Sequence, residues 1–556
     1  MEQESCFNLG SVMSRFIRLS LLFLILCISA DILATNYFVH PEFGDDKNKG
    51  NHLLAPLRSL ARASKLDLQA GDSVFLAAGH TFKGMLKIQG KHGEWNNPIR
   101  ISSYQWGNRY EDARAIIDAS KALHGIYLID CSYIIIENLI IQADDADGTS
   151  TGKMKCGVLV TTSRPGLNEG ISINNLLIKN IYIEAPGFSR GKREVLTANG
   201  TQRYGWGIRF INQTKGAVLN NLIVKNCVIK NVAHTGIKFT SKGPKMDHIE
   251  IYNNRVLGTG GPGIQMSGVI NGHIKNNYVN KSGANNDPRK WGRGSGLWTW
   301  NSSNIIIENN YFLNANGPGD SAGCHIDYNC NDIVVQYNFS ANNAGGFCEI
   351  LGNSYNCAYR YNISVNDGHR VKGVQGAFQE GKTLWLSGYQ GKKGPRKGPF
   401  NSYFYNNTIY VSKDIVSKIA ISKTAEGVLI ANNIFHVDGK ANKVPGDQNM
   451  QDIEGESRVE NVFFQNNLYL NTDYWPKEIG IQDESKIVGD PNFIKKYGDR
   501  IEDYLPRNVD LIKNNGIEIP CLKQDSIGLK IGLAVLHDIL GNPIIGKPDL
   551  GAIELD

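Results

Sequence analysis

Apolar and polar residues alternate in short runs along most of the chain, and glycine or asparagine ends each run. Such a period of two places successive side chains on opposite faces of a strand. One set of runs opens on glycine: Gly125-Ile126-Tyr127-Leu128, Gly157-Val158-Leu159-Val160, Gly207-Ile208-Arg209-Phe210, Gly236-Ile237-Lys238-Phe239, Gly263-Ile264-Gln265-Met266, Gly296-Leu297-Trp298-Thr299 and Gly323-Cys324-His325-Ile326. From Gly207 onward these openings recur about thirty residues apart, a solenoid period. A second set, such as Ile249-Glu250-Ile251 and Ile305-Ile306-Ile307, leads into asparagine pairs at Asn253-Asn254, Asn276-Asn277, Asn309-Asn310, Asn406-Asn407, Asn432-Asn433 and Asn466-Asn467. Asparagine tolerates a left-handed bend, and its amide can bond to the units above and below.

The period is clearest where the chain repeats itself. Cys324-His325-Ile326-Asp327-Tyr328-Asn329 running to Gln336-Tyr337-Asn338 aligns without a gap on Cys348-Glu349-Ile350-Leu351-Gly352-Asn353 running to Arg360-Tyr361-Asn362. Units of this kind bury their apolar face only by stacking on neighbours, which predicts an all-β, right-handed parallel β-helix with Ile326 and Ile350 inward and in register. Tyr37 to Pro41, a short helix over Ala61 to Leu68 and Gly71 to Leu76 read as strand, helix and strand, a helical cap over the open first coil. The expected division is 1–34 as a secretory signal, 35–480 as the β-helix with its cap, and 481–556 as a closing segment. Insertions at 189–204, 284–294 and 391–399 are expected to lengthen turns and build a binding face.

Composition changes this picture little. The chain has 556 residues, a net charge of +6 and 20% charged residues without a Lys/Arg tract, so nucleic acid is not expected and an acidic polymer remains open. Arg15 and Arg18 followed by Leu21 to Ile28 form a basic start and an apolar stretch too short to span a bilayer. This pattern predicts secretion or periplasmic export, with cleavage after Ala30 or Ala34. A lipid anchor at Cys27 is disfavoured by the bulky Leu26, and no transmembrane span is expected. Cys131, Cys156, Cys227, Cys324, Cys330, Cys348, Cys357 and Cys521 show no metal-ligand spacing, so most are read as small buried hydrophobes. No cofactor is expected; scattered acids such as Asp320 and Asp332 leave room only for structural calcium. The protein is expected to act as a monomer.

Candidate chemistry lies in one outward column: Arg209, Lys238, Gln265, Trp298, His325 and Glu349, with Thr240, Ser267, Trp300, Asp327 and Leu351 beside it. Coils about 4.8 Å apart and alternate residues about 6.7 Å apart would place Asp327 and Glu349 about 8 Å from each other, all facing solvent. That spacing suits an acid and a base acting across a glycosidic bond. Asp327 and Glu349 are therefore the candidate acid–base pair, with Asp320 and His325 as further catalytic candidates. Arg209, Lys238, Gln265, Trp298, Trp300, Asn353, Asp367, His369, Arg370 and Lys372 are candidate substrate-binding residues, the tryptophans because exposed aromatic faces suit sugar rings. The bland alternative is an ion-pair network of His325, Arg370 and the carboxylates that stabilises the coil.

With these residues the chain resembles the pectin-lyase-like superfamily of secreted parallel β-helix carbohydrate-active enzymes, and its cap and closing segment are similar to theirs. Within that superfamily, Glu349 and Tyr359-Arg360-Tyr361-Asn362 match the outline of the alginate lyase and chondroitinase B group, but Gly352 or Asn353 stands where that group carries lysine. The resemblance implies an enzyme acting on a polysaccharide or oligosaccharide. A glycoside hydrolase is the leading expectation; a lyase that neutralises a uronic acid with Arg370, His325 or Lys372, and a non-catalytic carbohydrate-binding helix, remain as alternatives.

Overall fold

A computed structural model of the chain describes residues 34–107, 113–144, 154–182, 205–243, 246–283, 294–390, 394–444, 461–476, 483–523 and 525–555. All but the last residue of the expected signal, and the insertions at 189–204 and 284–293, lie outside these.

Each coil contributes one strand to each of three parallel sheets. The first sheet runs from Asn36–Val39 to Val462–Gln465, the second from Thr81–Lys83 to Ile487–Val488, and the third from Leu86–Gln89 to Ala441–Lys443. Leu297–Trp300, Ser303–Glu308 and Tyr311–Leu313 make one such coil before the chain returns to the third sheet at Cys324–Ile326. Parallel crossovers of one hand make this a right-handed β-helix. Ile326 pairs with Ile350 and both are fully buried, as the repeat predicts.

The paired asparagines divide the work of the bend. The first of each pair takes the left-handed conformation, as at Asn253 (φ 56), Asn276 (φ 55) and Asn309 (φ 54). The second turns its amide inward and bonds to the next coil. Asn338 Oδ1 accepts from Asn310 N at 2.9 Å and from Asn310 Nδ2 at 3.0 Å, while Asn338 Nδ2 donates to Ile307 O at 2.8 Å and Asn362 Oδ1 at 3.0 Å. This ladder continues through Asn407, Asn433 and Asn467 and ends on the Asp483 carboxylate. It satisfies buried backbone groups where no strand partner exists.

The amino-terminal helix is shorter than predicted, one turn at Leu60–Ala63. Ser59 caps its start by accepting from Arg62 N, and Ser64 closes it. Leu66 and Leu68 still pack inward, so their apolar spacing served burial rather than a longer helix. The seven cysteines from Cys131 to Cys357 are buried free thiols, and Cys521 is exposed. Residues after 490 fold back along the outside of the coils, where Arg360 Nη1 donates to Gly532 O at 2.9 Å and Tyr403 OH to Asp525 at 2.7 Å.

Candidate active site

The predicted column exists in register on the third sheet. Arg209 pairs with Lys238, Lys238 with Gln265, Gln265 with Trp298, and Trp298 with His325; Glu349 follows on the next rung and pairs with Trp385. Its environment differs from expectation. Arg209, Lys238, Gln265, Trp298, His325 and Glu349 are all at most 5% exposed, so the outward face is a covered interior rather than a solvated surface.

His325 lies at the centre. Its Nδ1 is 3.2 Å from Ser295 Oγ and 3.9 Å from Glu349 Oε1, and its Nε2 is 3.9 Å from Asp327 Oδ2. Trp298 packs against the ring at 5.6 Å between centroids. The imidazole thus stands between two carboxyl groups at ion-pair rather than hydrogen-bond distance. Tyr359 reaches across the core from the first sheet, placing its hydroxyl 3.1 Å from the carbonyls of both Cys324 and Glu349. It ties together the two backbones that carry His325 and Glu349.

Glu349 has a partner that sequence reasoning missed. Lys382 opens the next strand of this sheet, Lys382–Leu386, and its Nζ lies 3.5 Å above the Trp385 ring. Burial pushes the Glu349 carboxyl well above the usual range and lowers the Lys382 amine to about 7, each partly offset by the other. Asp320 and Asp327 raise Glu349 further by like-charge repulsion. Three carboxyl groups therefore crowd one another, and the crowding adds to burial in favouring the protonated form of Glu349.

Asp320 is held by its backbone. Its N–H donates to Gln379 Oε1 at 2.7 Å, and its carbonyl accepts from Arg370 Nη1 at 2.9 Å. Both Asp320 (φ 41) and Ser321 (φ 63) take the left-handed conformation, which is costly away from glycine and concentrates at working sites. Gly345 lies so close that an added Cβ would fall 1.9 Å from the Asp320 carbonyl oxygen. Asp320 and Asp327 are half-buried, in contrast to Glu349. Trp300, 38% exposed, stacks obliquely on Tyr328 at 5.1 Å and offers the open aromatic face expected of a sugar platform.

Other predicted binding residues are placed elsewhere. Arg370 spends its guanidinium on the carbonyls of Gly317, Asp320, Gln379 and Glu380, stapling the Asp320 turn. Lys372 is exposed, and its backbone is bound to Glu380. His369 lines a shallow groove with Asn314, Asn316, Asn342 and Ile415. Asn353 is a rung of a second amide ladder, donating to Asn329 Oδ1 at 2.7 Å. Among the described residues, no group of three His, Cys, Asp or Glu side chains could hold a metal ion.

Asp367 is a buried rung, not a binding residue. Its Oδ1 accepts from Asn343 N at 2.9 Å and Asn343 Nδ2 at 2.8 Å, and burial pushes its carboxyl up to about 7. In the unfolded chain its pKa falls back near 3.8, so the stability of the protonated rung is present below about pH 4 and is lost as pH climbs toward about 7. Asp367→Asn is expected to raise the melting temperature at about pH 8 and leave it unchanged at about pH 4. Thermal melts across that range check this, and a variant equally destabilised at both ends would contradict it.

Comparison with known proteins agrees on the fold. A family model described as a right handed beta helix region matches residues 206–382, which span the column from Arg209 to Glu349 and reach Lys382. A lacto-N-biosidase of Bifidobacterium longum subsp. longum is 26% identical over 94% of this chain, and the chain spans only 36% of that relative's length. The crystal structure of a GH136 lacto-N-biosidase from Eubacterium ramulus superposes with a TM-score of 0.52 at 20% identity, covering 78% of this chain and 69% of that one.

Proposed function

We propose that the protein is a glycoside hydrolase of lacto-N-biosidase type, acting on a glycan held against the third sheet. The observation that carries this reading is the carboxylate cluster. Asp327 and Glu349 flank His325, and burial together with the charges of Asp320 and Asp327 favours the protonated form of Glu349 beside two aspartates that are more open to solvent, the kind of divergence in carboxyl environments that separates an acid from a base. The likeness to a lacto-N-biosidase along most of the chain supports the reaction class and the sugar.

The roles differ from the expected pairing of Asp327 with Glu349. Glu349 is 4% exposed and shares its charge balance with Lys382, which suits a buried group that tunes its neighbours. Asp320 and Asp327 keep contact with solvent and carry the proton transfers at the glycosidic oxygen and the attacking water. His325 and Ser295 position Asp327 and Glu349. Trp298, Trp300 and Trp385 supply the apolar faces along the sugar path. Of the three groups expected to serve an elimination, Arg370 is bound to four backbone carbonyls and Lys372 is exposed on the turn beyond, which leaves His325 alone inside the cluster.

Incubation with an aryl lacto-N-bioside, alongside a panel of neutral and acidic oligosaccharides, tests the reading. Release of the aryl group and of a saturated disaccharide is expected. An ultraviolet-absorbing unsaturated product from a uronic-acid glycan, with the aryl glycoside untouched, would overturn it.

A further inference from the structure

The rungs preceding His325 hold two buried polar atoms that make no hydrogen bond among the described residues. Lys238, Gln265 and Trp298 follow one another in register on the outward face and are 5%, 3% and 5% exposed. Gln265 Oε1 and Trp298 Nε1 are buried without a hydrogen-bond partner. A buried acceptor and a buried donor left unmade each cost more than an ordinary hydrogen bond returns, so two on adjacent rungs mark a place that a ligand completes. Lys238 has no carboxylate near it among the described residues. Burial, and after it the like charge of neighbouring Arg209, lowers the amine to about 7. A buried amine beside a second cation gains most from an anion.

We infer that Lys238, Gln265 and Trp298 form a subsite for an acidic sugar, with Lys238 receiving its carboxylate or sulfate and the other two bonding its hydroxyl or amide groups. This deepens the glycosidase reading and rests on it. Lys238 stands three rungs from His325, about 14 Å at ordinary strand spacing, so the acidic group sits on a ring beyond the one being cleaved. Trp298 spans the gap, with its ring against His325 and its indole N–H buried without a partner.

Calorimetry with the catalytically blocked Asp327→Asn protein tests the subsite directly, using lactose, 3′-sulfolactose and 3′-sialyllactose as probes. A charge-assisted contact at a buried site is expected to make one or both acidic probes bind roughly tenfold or more tightly than lactose. Preference for the sulfate alone or the carboxylate alone would identify the source of the anion. Lys238→Met should abolish the preference and Lys238→Arg should restore part of it, and circular dichroism of each variant verifies folding. Equal affinity for all three probes, or a preference that survives in a folded Lys238→Met protein, would overturn the inference. Cleavage of neutral glycans with no acidic preference would leave the hydrolase reading standing. Tight binding of acidic probes by a wild-type protein that cleaves nothing would leave the subsite standing and remove the hydrolase.

Discussion

Asp320→Asn and Asp327→Asn are each expected to lower kcat by a hundredfold or more, the scale of losing a general acid or base, with little change in melting temperature. Both side chains are half-buried at the edge of the cluster, so an isosteric amide fits without repacking. Glu349→Gln is a different case. It removes the carboxyl that crowds the aspartates and offsets Lys382, so its signature is a displaced pH–rate profile as well as a slower rate. Steady-state kinetics over a range of pH for the three variants separates these roles. If Glu349→Gln alone inactivates the enzyme and both aspartate variants turn over normally, the roles are reversed.

The second large effect is structural. Asn338→Leu keeps the branched shape and the number of side-chain heavy atoms but leaves the backbone and amide donors of Asn310 without their acceptor and removes a donor from Ile307 O and Asn362 Oδ1. Each buried orphan costs about 1 to 3 kcal/mol, so a loss of about 3 to 5 kcal/mol is expected. Chemical denaturation measures it directly. A variant as stable as the wild type would mean that the ladder merely fills the bend.

Much of this was legible before the fold was known, and the reasons are local. The gapless repeat from Cys324 to Asn362 carries its own register, because alternation allows only one way to keep Ile326 and Ile350 on the apolar side. The asparagine pairs were legible as bends, although the split between a left-handed first residue and a bonding second emerges only from the stacked coils. Lys382 and Trp385 escaped because the turn carrying Asp367, His369 and Arg370 stretches the interval to the next strand. Continuing the alternation through Lys382-Thr383-Leu384-Trp385-Leu386 would have found them, since Leu384 and Leu386 keep the inward phase. Burial of the outward column was not legible at all. Alternation tells which face of a strand a residue occupies, but whether that face meets water depends on packing from distant segments. For the same reason Arg370 and Asp367 read as site residues, although one staples a turn and the other completes an amide ladder.

The most direct test of glycan hydrolysis at the carboxylate cluster is mass spectrometry of the products formed in water enriched in heavy oxygen. One heavy oxygen atom is expected to be incorporated at each cleavage, with incorporation lost in the Asp320→Asn, Asp327→Asn double variant. An unlabelled product lighter by one water and carrying a new double bond would contradict it.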